Sequence, residues 1–281
     1  TVIDSTCATH ASTDVTGEGA FVMKGLDFAE YWVAKTGATP ELKSFSSGET
    51  LTAPDTQVYT GWYNGWDTEY EISSAAGLYG LSTLSVSNHF SGKKIVLTDD
   101  IMLNEGTLDP KGKSADWQSV YSKWNTWTPI GRMTPFAGTF DGQGHTISGM
   151  YAKGTSCVGF FGIVGENGIV KKLKIASSYI INEENSSSSW GLTGSVVGQL
   201  QGELYDIYVD STVTVTSKSQ YTAGVAGMLR GNTIINNCWS AANVKGAAST
   251  GGIVGSAYGG VHIIEHCLNS GTIDYEANIG G

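Results

Sequence analysis

A five-residue, glycine-bounded pattern recurs through the second half of the chain. It reads Val158-Gly-Phe-Phe-Gly162, Gly194-Ser-Val-Val-Gly198, Ala223-Gly-Val-Ala-Gly227 and Gly251-Gly-Ile-Val-Gly255, and Ile279-Gly280-Gly281 begins a further copy. The closing glycines lie 36, 29 and 28 residues apart. A period of that size in strand-like sequence predicts a solenoid, in which each repeat buries its apolar face only by stacking on its neighbours. After every pentad comes a polar turn and then a β-branched stretch: Ile169–Ile175, Leu204–Val209, Thr233–Cys238 and His262–Cys267. Their alternation of apolar and polar residues marks strands with one buried face. Three short strands per repeat fit one coil of a parallel β-helix, where residues one period apart lie above one another and glycines stack at a corner. No amphipathic helix follows any pentad, which removes a dinucleotide-binding reading of the glycines.

Composition agrees with a turn-rich all-β chain: 281 residues hold 38 glycines but only 5 prolines, and charged residues are 15%. The formal charge of −10, with Arg132 and Arg230 the only arginines, argues against nucleic acid as a partner, because phosphate binding needs a basic footprint. Four cysteines, Cys7, Cys157, Cys238 and Cys267, allow three pairings as two disulfides. Cys238 and Cys267 occupy equivalent repeat positions, so the reading preferred here is a free, inward stack of small apolar fillers. No metal-ligand spacing occurs. The chain starts at Thr1 with no signal peptide or membrane-spanning run, which suggests a processed or excised piece with no membrane insertion of its own.

Residues 1–68 lack the pentad. Their opening, Val2-Ile3-Asp-Ser-Thr-Cys7, resembles the second half of a repeat, as though the chain enters in mid-coil. Leu26–Lys35, with Asp27 and Glu30 as a capping pair and Gly37 as a stop, predicts a short helix. A second helix is predicted over about 73–88, capped by Ser73 or Ser74 and weakened by Gly77 and Gly80. It would cover the lower edge of a solenoid whose first strands are Ile95–Leu97 and Ile101–Leu103. Trp117, Tyr121 and Trp124 mark either a short helix or an inserted loop.

The run Trp127-Thr-Pro-Ile-Gly131 followed by Phe136-Ala-Gly-Thr-Phe-Asp-Gly-Gln-Gly-His-Thr-Ile147 resembles the opening of bacterial GLUG-repeat β-helices, and the pentads continue the resemblance to Gly281. The resemblance covers residues 69–281; residues 1–68 are similar to the end of a preceding module plus a linker. It implies a right-handed parallel β-helix with short N-terminal capping helices, of the kind found in secreted and surface-anchored, adhesin-like proteins. It implies no shared active site. The 36-residue spacing departs from the pattern, with Glu183–Trp190 forming a bulge where solenoids place binding surfaces.

Chemistry is sparse. Lyases of such folds need a base beside a carboxylate cluster. Of the candidates Asp99, Asp100, Asp116 and Asp141, Asp99 and Asp100 are adjacent and would point to opposite strand faces, and Asp141 sits in a turn sequence. His262 and His266 flank an apolar pair at an i, i+4 spacing that would bring them together on a helix but not on a β-strand, so they and His145 read as solvated or stacked histidines, and no pair of facing carboxyls suggests glycoside hydrolysis. The expectation is therefore a non-enzymatic extracellular β-solenoid serving as stalk, fibre or adhesive module. No cofactor is expected; calcium is compatible with the acidic residues, but no motif specifies it. Its partner would be itself, head to tail through Val2, Ile3, Cys7, Ile279, Gly280 and Gly281, or a surface glycan or protein. For a glycan, the exposed-aromatic candidates are Trp62, Tyr63, Trp66 and Trp190, with Trp117 and Trp124 as further members; the preferred reading of Tyr59–Trp66 is nonetheless a plug over a solenoid end or a linker, because nothing in the sequence shows these rings exposed together. The alternatives are a carbohydrate-degrading β-helix and a passive spacer in a larger surface protein.

Overall fold

The computed structural model describes residues 58–106, 124–184 and 191–275, with the backbone of 32–35 and 38–42. The repeats form a parallel β-helix. Each circuit passes through four sheets rather than three. The first sheet stacks Phe161–Val164, Val197–Leu200, Ala226–Arg230 and Val254–Tyr258 in parallel. The second, the long sheet, stacks Ile169–Ala176, Glu203–Val209, Thr233–Ser240 and His262–Glu265, with Leu268–Asn269 continuing the last. A third holds Tyr151–Gly154, Tyr179–Asn182, Thr214–Ser217, Asn243–Gly246 and Ile273–Tyr275. The fourth, of two- and three-residue strands, holds Cys157–Val158, Leu192–Gly194, Tyr221–Ala223 and Ser249–Gly251.

The pentad turns the corner from the fourth sheet to the first, so strands lie on both sides of it. Its closing glycine is required by closeness rather than by backbone angle. A Cβ on Gly227 would run into the amide nitrogen of Thr193, in the coil below, and lie 2.8 Å from the Gly198 carbonyl oxygen. On Gly198 it would meet the Cys157 Cα at 2.9 Å, and on Gly255 the Thr222 nitrogen at 2.8 Å. None of these three glycines has positive φ. The missing side chain lets two sheets meet backbone to backbone across the corner.

The long strands bend at a second stacked position. Lys172, Asp206, Asn237 and His266 occupy the left-handed region, with φ of 52°, 55°, 55° and 53°. Flanking pairs such as Lys171 with Tyr205 and Leu173 with Ile207 hold the register across the bend. One left-handed residue places two successive side chains outward and resets the alternation, which is why each repeat carries two apolar stretches. Asp206, Asn237 and His266 are of types enriched in this region; for Lys172 it costs about 1–2 kcal/mol. Asn237 Nδ2 donates to Asp206 Oδ1 at 2.6 Å, tying two members of the column together.

The core is a set of columns parallel to the solenoid axis. The longest runs Tyr70–Ile95–Phe140–Val170–Leu204–Ile235–Ile264 by direct strand register. Its first six members are at most 2% exposed. A second places Cys238 over Ile207 and beneath Cys267 in the aligned strands. Cys157, Cys238 and Cys267 are free, and the Cys267 thiol donates to the Glu265 carbonyl oxygen at 3.1 Å. Burial first, then the neighbouring Cys267, pushes the Cys238 thiol up to about 12.

Two expectations about the N-terminal region need correction. Trp32–Lys35 is a strand, paired antiparallel with Ala38–Leu42, so the helix predicted over Leu26–Lys35 does not extend through its last four residues. Turn-compatible Gly37 and the bulky Trp32 and β-branched Val33 favour a hairpin there over a helix stop. The solenoid's first parallel strand is Glu69–Ile72, which precedes the helix and pairs with Lys94–Leu97. The helix itself runs Ala75–Leu84, with Ser74 as N-cap accepting from Gly77 N at 3.2 Å. Leu78 and Leu81 are fully buried against the columns. Gly80 is needed because the Tyr59 carbonyl crosses the position of its absent Cβ. Ser82 Oγ donates to the Thr128 carbonyl oxygen at 2.6 Å, fixing the helix beside the segment beneath the first sheet.

Candidate functional site

The outward face of the long sheet brings aromatic rings and charged groups together. Just past the left-handed bend, strand register aligns Thr146, Lys174, Tyr208, Trp239 and Leu268 in one outward column. The Tyr208 and Trp239 ring centroids are 4.8 Å apart at 45°. Lys174 Nζ sits 5.3 Å from the Tyr208 centroid and 3.5 Å from Asp210 Oδ2. Trp239 Nε1 donates to Ser270 Oγ at 2.8 Å. Although Trp239 has a coil on each side, it remains 45% exposed. Burial and then the Asp210 carboxylate raise the Tyr208 phenol above its ordinary value. Burial alone would raise Asp210 too, but hydrogen bonds from the Thr212 backbone and hydroxyl, with the Lys174 ammonium, bring it below the usual aspartate value.

The aromatic residues picked out in the sequence are distributed differently. Trp62 and Tyr63 pack partly buried against the core, with Trp62–Tyr70 and Tyr63–Phe90 centroids 5.7 and 5.2 Å apart. Their polar edges are satisfied inside: Trp62 Nε1 donates to the Gly77 carbonyl at 3.2 Å, and Asn88 Nδ2 donates to the Tyr63 hydroxyl at 2.7 Å. Trp66 stands apart from them at 70% exposure. Trp124 stacks on Tyr179 at 5.4 Å. Trp190, Trp117, Asp116 and the end residues Val2, Ile3, Cys7, Ile279, Gly280 and Gly281 lie outside the described residues, as does most of the Glu183–Trp190 segment.

The carboxylates considered for catalysis are committed to separate partners. Asp141 is buried, accepts from Gln143 N at 3.2 Å, and faces Lys171 Nζ at 3.4 Å and Lys94 Nζ at 4.0 Å. Asp100 accepts from Thr146 N at 2.8 Å and lies 3.3 Å from His145 Nδ1; the Thr146 amide is the main cause of its lowered pKa. Asp99 takes the Thr98 hydroxyl at 3.3 Å. His262 Nδ1 meets Thr233 Oγ1 at 2.9 Å, while His266 occupies the bend. A shallow cleft of about 430 Å³ at the corner between the first and long sheets is lined by Glu166, Gln201, Arg230 and Tyr258. No group of three or more potential metal ligands occurs among the described residues.

The second exposed feature is the end of the solenoid formed by the last described coil. There Ile264 is 45% exposed, although the six residues beneath it in its column are buried. Leu268 and Ile273 are 55% and 48% exposed at the same end.

The fold defines the class of protein, a parallel β-helix. No family model matches the chain. A stretch of 157 residues, 54% of the chain, is 30% identical to a protein of Evansella cellulosilytica named "Putative Gly-rich membrane protein", of which it covers 16%. Over 255 residues, 84% of the chain, it is 27% identical to the halomucin of Haloquadratum walsbyi, covering 2% of that protein. The chain thus spans a small part of the curated relatives it matches. Among solved structures, a "putative immunoglobulin A1 protease" from Bacteroides ovatus aligns over 74% of this chain and 77% of that one, with a TM-score of 0.36 and 12% identity. No helix among the described residues is long and apolar enough to cross a membrane.

Proposed function

We propose that this chain is a stacking module of a GLUG-type, secreted or surface-displayed β-solenoid, with a structural and adhesive role. The observation that carries this reading is the column from Tyr70 to Ile264: six buried members and a seventh left 45% exposed. Alongside it, among the described residues, the strands Val254–Tyr258 and His262–Glu265 are paired on one side only. Such an edge presents unpaired N–H and C=O groups together with apolar side chains, the template for another coil. A second molecule stacked head to tail there would make a heterologous, non-closing contact. Small polar residues in place of dense charge suit an extracellular surface. The much greater length of the two relatives, one named as a membrane protein and the other as halomucin, supports a module within a long architecture.

Sedimentation velocity and negative-stain electron microscopy of the purified chain test the stacking. Rods that lengthen with concentration, and that shorten to single modules in Ile264→Asp, support it. Single particles at every concentration overturn assembly between molecules; a passive spacer predicts that result.

A further inference from the structure

We propose that the outward column Lys174–Tyr208–Trp239 is a binding strip for a neutral polysaccharide chain. The inference uses the solenoid only as a rigid support and is independent of whether its ends stack. Two aromatic rings from successive coils stand 4.8 Å apart, on a sheet whose strands are held in register on both sides. Each ring has its polar edge fixed. Trp239 Nε1 is held by Ser270 Oγ, and the Tyr208 hydroxyl by Asp210. Lys174 lies over the Tyr208 ring and Trp239 packs against it, so the ring surface that remains to be covered is chiefly that of Trp239, 45% exposed, and it is set before any ligand arrives. Preorganisation of this kind lowers the ordering cost of binding.

The charges around the rings select the ligand. Lys174 and Asp210 pair with each other at 3.5 Å, so the strip offers hydrogen-bonding groups without a net charge. An anionic chain would have to compete with Asp210 for the ammonium, and a cationic one with Lys174 for the carboxylate. A neutral sugar needs neither exchange. Its axial C–H faces are apolar and lie against aromatic rings, while its hydroxyls reach the paired ion groups and the Ser270 hydroxyl. Leu268, 55% exposed above Trp239, extends the apolar track along the axis. The site therefore follows a chain running parallel to the solenoid rather than a single sugar in a pocket.

Affinity electrophoresis in gels containing hydroxyethylcellulose, laminarin, galactomannan or dextran tests the strip, with alginate as an anionic comparison. The wild-type chain should be retarded by at least one neutral polymer. Trp239→Ala should weaken that affinity about tenfold or more, Trp239→Phe should retain most of it, and Trp66→Ala should leave it unchanged. Circular dichroism melts confirm that each variant is folded. The proposal is overturned by three results: no retardation by any neutral polymer, retardation that survives Trp239→Ala, or retardation by alginate alone that salt abolishes. None of these bears on the rod-forming assay above, so the two readings fail separately.

Discussion

Gly227→Ala tests whether the pentad is a steric device. The added methyl would meet the Thr193 amide nitrogen, the Gly198 carbonyl oxygen at 2.8 Å and the Leu192 carbonyl carbon at 3.0 Å. All three are backbone atoms of the coil below, so no side-chain rotamer change relieves the overlap; strands must separate. Overpacking of a tight interior costs about 1–3 kcal/mol, and contacts with backbone on two strands place this substitution near about 3 kcal/mol. Two other glycines isolate the cause. Gly231 has φ +72° and nothing within 4 Å of its would-be Cβ, so Gly231→Ala should cost only the left-handed penalty of about 1–2 kcal/mol. Gly154 has neither positive φ nor a neighbour closer than Val158 Cγ2 at 3.9 Å. Gly154→Ala should be neutral or stabilising by about 0.4–1 kcal/mol, through the unfolded chain. Urea denaturation followed by far-ultraviolet circular dichroism gives the order. If Gly227→Ala is no more destabilising than Gly154→Ala, the backbone-to-backbone account of the pentad is wrong.

Phe160→Ala, which removes a fully buried ring stacked on Trp127 at 5.1 Å, should cost about 3–5 kcal/mol in the same assay. Cys157 and Cys238 should resist a thiol reagent such as DTNB at about pH 8 until the protein unfolds, because burial raises both thiols and Cys238 reaches about 12; half-buried Cys267 should react before either of them. Asp210 has a lowered folded pKa, so its contribution to stability is present above the unfolded value of about 4 and is lost as pH falls through the lower folded one. An acid titration of unfolding should therefore fall less steeply below about pH 4 for Asp210→Asn than for the wild-type chain.

The inward columns were legible in the sequence because repetition reports them directly: residues one period apart share a chemistry, as Leu204, Ile235 and Ile264 do. The four-sheet circuit was less legible. Strands of two or three residues, such as Cys157–Val158 and Leu192–Gly194, are too short to display an alternation, and the pentad hid them inside what looked like a turn. The left-handed bend carries a usual signal at Asp206, Asn237 and His266 but none at Lys172, where the need to turn overrides residue preference. At the N-terminal end, the contiguous aromatics of Tyr59–Trp66 favoured a plug rather than a glycan surface, and Trp62 and Tyr63 do pack on the core, while Trp66 is exposed. The Lys174–Tyr208–Trp239 strip was missed because its members are 34 and 31 residues apart in sequence. The signal existed in the outward positions of the repeats, but reading it required the register that inward positions alone establish.

The stacking itself is tested most directly by a distance along an outward column. Thr139, Ile169, Glu203, Ile234 and Ile263 are aligned strand by strand, which places Thr139 and Ile263 four steps apart. With neighbouring strands about 4.8 Å apart, their Cα atoms should be separated by about 19 Å. Nitroxide labels at Thr139→Cys and Ile263→Cys, in a chain whose four native cysteines are replaced by alanine, give this by double electron–electron resonance. A single narrow distribution centred near about 20 Å is the predicted result. A broad distribution, or one centred beyond about 30 Å, would contradict a continuous in-register solenoid.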